Sequence, residues 1–132
     1  MNTLEAIVAL VKAQPAVAAL VGVKVYGRRA PGGKALFPCV TVNRVASRGS
    51  DPDLPYESLM VDVRCYGATQ DAAEQVYRAL EPMSGMNHVD VGAYRFLRLQ
   101  CVAGPNDMDD SPNDSEVWDC VLSSWEFDIQ NR

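Results

Sequence analysis

The segment from Tyr56 to Tyr66 alternates apolar with mixed side chains, and this alternation constrains the fold more than any other feature of the sequence. Its odd positions from Leu59 to Cys65 are all apolar, whereas the even positions include Asp62. Successive side chains of a strand point to opposite faces of a sheet. The segment therefore predicts a long strand with one buried and one partly solvated face, which requires further strands beside it and a packed layer on its apolar side.

Two other regions have helical periodicity. Apolar residues recur at helical spacing near the N-terminus and predict a helix over residues 3–13. Pro15 fits the first turn of a second short helix, which Gly22 would end. A further helix is predicted over residues 69–80, with Thr69 as its N-cap and an apolar stripe on one side.

The remaining regular elements are predicted strands, over residues 23–26, 39–46, 94–103 and 116–129. Antiparallel pairing is expected for 39–46 with 56–66 and for 94–103 with 116–129, with the polar run 104–115 joining the second pair. The fold class predicted is α+β. One domain over residues 1–132 would hold a mostly antiparallel β-sheet with two main helices, the broken N-terminal one and 69–80, packed on one face.

Length and composition limit the alternatives. A chain of 132 residues can bury one core without metal or disulfide support. No segment approaches the ~20 apolar residues of a membrane span, and Glu5 interrupts an N-terminus that lacks a basic leader region, so a cytosolic folding environment is expected. The cysteines have no C-x-x-C spacing and predict buried free thiols rather than a metal or redox site: Cys39, Cys65, Cys101 and Cys120.

Few residues offer catalytic chemistry. The only histidine, His88, lies near Asp90 in a short connector and is interpreted as a solvated loop residue rather than a general base. The stretch Pro31–Lys34 resembles a phosphate-binding loop, but no predicted helix follows it. We therefore expect no catalytic residue and no cofactor.

The acidic run 106–116 has three interpretations. A calcium loop needs regular ligand spacing and a central glycine, whereas this run is irregular and contains Pro112. A solvated hairpin tip is the simplest interpretation, and no metal is expected. The third is a surface past which DNA slides, because carboxylates repel phosphates.

Charge is divided unequally along the chain. Residues 1–50 carry seven Lys or Arg and one acid, whereas residues 51–132 carry five Lys or Arg and sixteen acids. A small protein with oppositely charged parts can contact a copy of itself head to tail, and such contacts close into a ring when the rotation between copies allows it. The alternative is that both patches fold onto one face and neutralise each other.

Several segments together resemble a known family. They are Leu4–Val21, Gly22–Tyr26 with Arg29–Pro31, Phe37–Val42, and Leu59–Tyr66 followed by the helix 69–80. In order and spacing they resemble the tail-completion or tail-terminator proteins of long-tailed bacteriophages, also called minor tail or head–tail joining proteins. The C-terminal third matches only in strand order.

The resemblance implies a non-enzymatic virion protein. It implies a homo-oligomeric ring, expected to be hexameric, at the capsid-proximal end of the tail tube, assembled in the host cytoplasm. There it would end tube polymerisation and contact the tail tube protein and the head-completion or neck proteins. Genomic DNA would pass through the channel without specific binding, and no membrane is involved.

The family carries no sequence-defined active residues, so only candidate contacts can be named. On the basic side, Arg28, Arg29 and Lys34, with Asp51 and Asp53 nearby, are candidates for subunit or tube contacts. The acids that would face either the DNA channel or a neighbouring subunit are Asp107, Asp109, Asp110 and Asp114. Two alternatives are another neck component, such as a head-closure or stopper protein, and a small-ligand-binding α+β domain.

Overall fold

The strand predicted from alternation lies inside a mixed sheet that is covered by helices on one face. The computed structural model describes residues 2–47, 56–111 and 116–132. The helices are α1 (Thr3–Lys12), α2 (Pro15–Val21) and α3 (Gln70–Leu80). The strands are β1 (Val25–Gly27), β2 (Cys39–Ser47), β3 (Glu57–Gly67), β4 (Val89–Val91), β5 (Tyr94–Asp109) and β6 (Asp119–Asn131). Short 3-10 helices cover Gly33–Leu36 and Glu81–Met83.

The described strands form one sheet in the order β1-β2-β3-β6-β5-β4. All neighbouring pairs are antiparallel except β1 with β2. Both predicted antiparallel pairs, β2 with β3 and β5 with β6, are therefore confirmed, and β3 also pairs with β6 along its whole length. The predicted α+β class, with a mostly antiparallel sheet, is confirmed.

Local capping explains where the helices begin. Helix α1 has a capping box, in which the Glu5 N–H donates to Asn2 Oδ1 at 2.8 Å and the Asn2 N–H donates to Glu5 Oε2 at 3.2 Å. Helix α3 begins after Thr69, whose Oγ1 accepts from the Ala72 N–H at 3.1 Å, as the sequence predicted. These caps satisfy backbone donors that a helix cannot pair internally.

The core lies between the helices and one face of the sheet. Helix α1 contacts β1 and β2 at one edge of the sheet and β4 at the other, so the sheet curls around the helical layer. The largest fully buried side chains come from both layers and include Trp125, Phe96, Phe127, Ile7, Leu10 and Leu80. The buried Ser123 hydroxyl accepts from Trp125 Nε1 at 2.9 Å, which removes the cost of an unpaired indole N–H in the core.

Two strands differ from the sequence prediction. The run 104–115 was expected to be a connection, but β5 continues through Gly104 and Pro105 to Asp109. Register shifts between Cys101 and Asn106 accommodate these two residues, which usually interrupt strands. The three-residue strand β4 was not predicted because it is too short to show an alternating pattern.

The N-terminal helices contribute to the core rather than form a single long segment. Among the described residues, no single helix has the length and apolar character of a membrane span. Only together do α1 and α2 have that length and apolar character, and a bend of 84° separates them.

Replacement of Gly67 by alanine is expected to destabilise the fold. A Cβ at this position, where β3 turns towards α3, would lie 2.4 Å from the Ala73 nitrogen and 2.8 Å from the Ala72 carbonyl carbon. Both atoms belong to backbone that cannot easily move, so Gly67→Ala should lower the free energy of unfolding by about 1–3 kcal/mol in urea titrations. Gly27→Ala is the matched control, because its Cβ would meet only side chains, Leu4 at 3.3 Å and Val8 at 3.8 Å, and no backbone atom. Equal losses of stability in the two variants would contradict the prediction that contact with the backbone of α3 causes the loss at residue 67.

The four thiols are expected to differ in reactivity. Cys39, Cys65 and Cys120 are buried, whereas Cys101 is partly exposed. Burial raises the pKa of Cys39 to about 11 and that of Cys120 to about 12, and it also raises the pKa of Cys65. Because the thiolate is the reactive form, a maleimide at neutral pH should modify Cys101 first, as peptide mass spectrometry would measure. Urea-unfolded protein should react at all four, and labelling of Cys39 as fast as Cys101 in the native protein would refute the prediction.

Candidate assembly surface

A small apolar cluster lies on the sheet face opposite the helices. The Phe37 ring stacks on Tyr66 with centroids 5.0 Å apart, and Trp118 packs edge-on against both rings. The buried thiols Cys39 and Cys120 complete the cluster. We call Phe37, Tyr66 and Trp118 the aromatic cluster. It joins the segment after β1 to the tip of the β5–β6 hairpin.

The hairpin tip is further held by Asp110. The Tyr66 hydroxyl donates a hydrogen bond to Asp110 Oδ2, and Arg64 Nε lies 3.8 Å from the same oxygen. Burial, followed by the hydrogen bond to Asp110, raises the pKa of Tyr66, so this hydroxyl keeps its proton and remains a donor. Asp110 therefore links the end of β5 to β3 within the chain.

Two more acids form hydrogen bonds in the described residues on either side of 112–115. The Ser111 N–H donates to Asp109 Oδ1 at 3.0 Å, and the Ser111 hydroxyl bonds to the same oxygen. These bonds lower the pKa of Asp109 and keep it ionised. Trp118 Nε1 donates to Glu116 at 2.8 Å. In contrast, Asp107 is exposed on β5 and has no hydrogen-bond or ion-pair partner among the described residues.

The basic residues after β1 lie at the opposite edge of the sheet. Arg28 has a positive φ of 77°, and its N–H donates to the Val42 carbonyl at 2.8 Å, which fixes the chain as it leaves β1. Arg28 and Arg29 are exposed, and within residues 2–47, 56–111 and 116–132 neither guanidinium has an ion-pair partner. The basic edge is thus not neutralised by the acids that the structure describes.

A groove adjoins this edge. It has a volume of about 400 Å³ and is lined by Asn2, Leu4, Arg28, Asn43 and Arg44. Arg44 Nη2 donates to Thr3 Oγ1 at 2.7 Å, which holds its guanidinium beside the start of α1. We call this the basic groove. Its two guanidinium groups and its amide side chains suit a carboxylate better than an apolar ligand.

The sheet face opposite the helices is polar along β3 and β6. Ser124 donates to Asp62 at 2.8 Å, and Ser58 donates to Asp128 at 2.6 Å. Arg98 lies 3.2 Å from Asp128 and 3.6 Å from Glu126, and both acidic residues are buried. We call this surface the polar face. It carries more carboxylates than cations and fixes them through hydrogen bonds and Arg98.

The residues considered for catalysis, His88 and Asp90, lie just before and within the short strand β4. His88 is exposed, whereas the neighbouring Asp90 is engaged by Arg95, whose Nε donates to it at 2.7 Å. In the part of the chain that the structure describes, no three His, Cys, Asp or Glu side chains converge to hold a metal ion. Two further cavities, of about 380 and 390 Å³, are shallow surface sites lined mainly by polar side chains. The prediction of a solvated His88 loop is confirmed.

The structure separates the sequence candidates into groups. Arg28 and Arg29 stand at the β1 edge, and Lys34 lies in the 3-10 helix Gly33–Leu36, with its side chain outside the described part. Asp107 and Asp109 lie on β5, and Asp110 follows it and reaches Tyr66 and Arg64 of β3. Three candidates, Asp51, Asp53 and Asp114, lie outside the described residues.

Sequence reasoning missed the residues that hold these groups in place. Tyr66, Phe37 and Trp118 are distant in sequence and meet only through sheet pairing and the return of the segment after β1. One signal was available: Tyr66 ends the mixed face of β3, where a large aromatic ring needs apolar cover. Arg44 was counted in the basic half but not assigned a site, because its proximity to Arg28 depends on β1–β2 pairing.

The chain is similar to known proteins both in sequence and in fold. A family model described as tail completion protein gp17 matches residues 5–83. A chain in a solved structure titled "Virion of native gene transfer agent (GTA) particle" is similar, with a TM-score of 0.69 and 15% identity, over 96% of this chain and 94% of that chain. At this identity the likeness shows a shared fold. No curated protein sequence matches.

The family match agrees with the resemblance drawn from the sequence. It includes most of α1 and all elements from α2 through α3, together with Arg28, Asn43 and Arg44 of the basic groove, and ends before the β5–β6 hairpin. The matched residues make up more than half of the chain. The chain therefore belongs to the tail completion protein gp17 family.

Proposed function

We propose that this chain forms a ring, with six copies, at the capsid-proximal end of a phage tail tube. There it ends polymerisation of the tube and joins the tail to the head or neck. Membership of the tail completion family supports a structural role in the tail. The partners proposed are further copies of this chain, the tail tube protein and the head-completion proteins, which would meet during assembly in the host cytoplasm.

The observation that carries this proposal is the separation of unneutralised charge across one sheet. Arg28 and Arg29 extend from the β1 edge without an ionic partner among the described residues, and Asp107 extends from β5 likewise. A contact between two different patches repeats from copy to copy and closes into a ring when the rotation allows it. The proposed contacts to other copies or to the tube use Arg28, Arg29 and Lys34, with Asp51 and Asp53 beside them.

The polar face supports passage of DNA through such a ring without specific binding. Asp62, Glu126 and Asp128 outnumber the described cations of this face, Arg64 and Arg98, and phosphates are repelled by an excess of carboxylates. Because Asp109 bonds to Ser111 and Asp110 to Tyr66, Asp107 is the one of these three acids that is available to a neighbouring copy. Asp114 is proposed for the same acidic surface. The role is structural and requires no catalytic group.

Particles produced without this protein are expected to have abnormal tails. Without a subunit that stops the tube, electron microscopy should show tubes of variable length, or tails that are not attached to filled heads. Supplying the wild-type protein in trans should restore uniform, attached tails. Normal tails in its absence would refute the proposed function.

Assembly of the purified protein should weaken as salt is raised. Exposed charges are screened over about 10 Å at 0.1 M salt and over about 3 Å at 1 M, so a contact that depends on Arg28 and Arg29 should lose strength. Native mass spectrometry or sedimentation at both salt concentrations would measure the distribution of oligomers. Thermal unfolding under the same conditions serves as the control for an intact fold, and an oligomer distribution that does not change with salt would contradict a charge-driven contact.

A further inference from the structure

The outer edge of β5 is unusually open over half its length. Strand β4 pairs with β5 only at Tyr94–Phe96, and residues 85 and 86 bond to the Leu99 backbone just beyond. The Cys101 N–H donates to Ser84 Oγ at 3.1 Å. From Val102 to Asp109, no described residue pairs with this edge, which we call the β5 outer edge.

Neither side of this segment is covered. Residues 102–107 are all exposed, although their side chains alternate between the two faces of the sheet, and Val102 retains 42% of its accessible surface. Open sheet edges tend to pair with other chains, and monomeric proteins usually protect them. Here the register shifts and Pro105 restrict such pairing, and Asp107 places a negative charge on the edge.

The opposite edge of the same sheet has the complementary charge. Strand β1 pairs with β2 on one side only, and its end leads directly to Arg28 and Arg29. The basic groove adjoins it and contains a further guanidinium, that of Arg44, which bonds to Thr3. A carboxylate that entered this groove would find donors from two arginines, which is a favourable geometry for an ion pair.

The charges at the two edges do not pair with each other within the described part of one chain. Four strand spacings of about 4.8 Å separate β1 from β5, roughly 19 Å measured along the sheet. In agreement, the structure has no ion pair between Asp107 and Arg28, Arg29 or Arg44. Within the described residues the charge at neither edge is compensated, and another copy of the same chain supplies the opposite sign.

The geometry points to a head-to-tail contact between copies, in which the β5 outer edge of one copy lies against β1 and the basic groove of the next. Asp107 of the first copy enters the groove and pairs with Arg28 of the second. Val102 loses its exposure to water against the neighbouring edge. The inference rests on the proposed self-assembly and deepens it by naming the two surfaces that meet.

Charge exchange tests this contact. Arg28→Glu and Asp107→Arg should each raise the concentration needed for oligomers at least about tenfold, because like charges would then face each other. An equimolar mixture of the two variants should recover assembly to within about threefold of wild type, since alternating copies restore opposite charges at every contact. The double variant carrying both changes in one chain should recover in the same way.

Matched controls separate this contact from a general effect of charge. Lys12→Glu and Asp71→Arg alter exposed charges on α1 and α3 that belong neither to the basic groove nor to β5, and should leave assembly unchanged. Circular dichroism and thermal unfolding should show that all variants fold, because neither Arg28 nor Asp107 has a side-chain partner in the described chain. Native mass spectrometry of the mixture should detect oligomers that alternate the two masses.

The outcomes distinguish this contact from the proposed function. If wild type assembles but the mixture and the double variant remain as defective as the single variants, the edge contact is overturned while ring formation stands. If Arg28→Glu has no effect and Asp107→Arg alone does, two β5 edges meet each other instead, which also overturns it. Wild-type protein that forms no oligomer and is absent from tails would overturn both.

Discussion

The pairing of β6 with both β3 and β5 is the constraint on which the rest of the structure depends. As a central strand, β6 places Val121, Trp125 and Phe127 towards the helices and Glu126 and Asp128 towards the polar face. A shift of one residue would exchange these faces and bury two carboxylates in the apolar core. The side chains therefore fix the register, and the register fixes where the hairpin tip and the open edge of β5 lie.

The sequence was sufficient to predict the elements whose signals are local. The alternation in β3, the Thr69 cap of α3 and the break at Pro15 depend on neighbouring residues only, and all three agree with the structure. The full length of β5 was missed, because Gly104 and Pro105 are typical of loops and their acceptance depends on bulges opposite β6. Long-range pairing thus overrode local preference.

The candidate surface was predicted less completely for a related reason. Arg28 and Arg29 were correctly placed in an exposed segment, because the surrounding glycines and prolines indicate a loop. The local use of Asp110 could not be foreseen, since its partner Tyr66 is 44 residues away and lies on another strand. A count of acids along the sequence does not show which carboxylates remain available. That distinction required the contacts of Asp107, Asp109 and Asp110 in the folded chain.

The two apolar clusters on opposite faces of the sheet stabilise different parts of the molecule. The core beneath the helices maintains the fold, whereas the aromatic cluster only anchors the segment after β1 and the hairpin tip. Residues at the outer side of that segment, such as Arg29, contribute to neither cluster. Substitutions in this outer segment can therefore change which partner it fits without altering the interior that specifies the architecture.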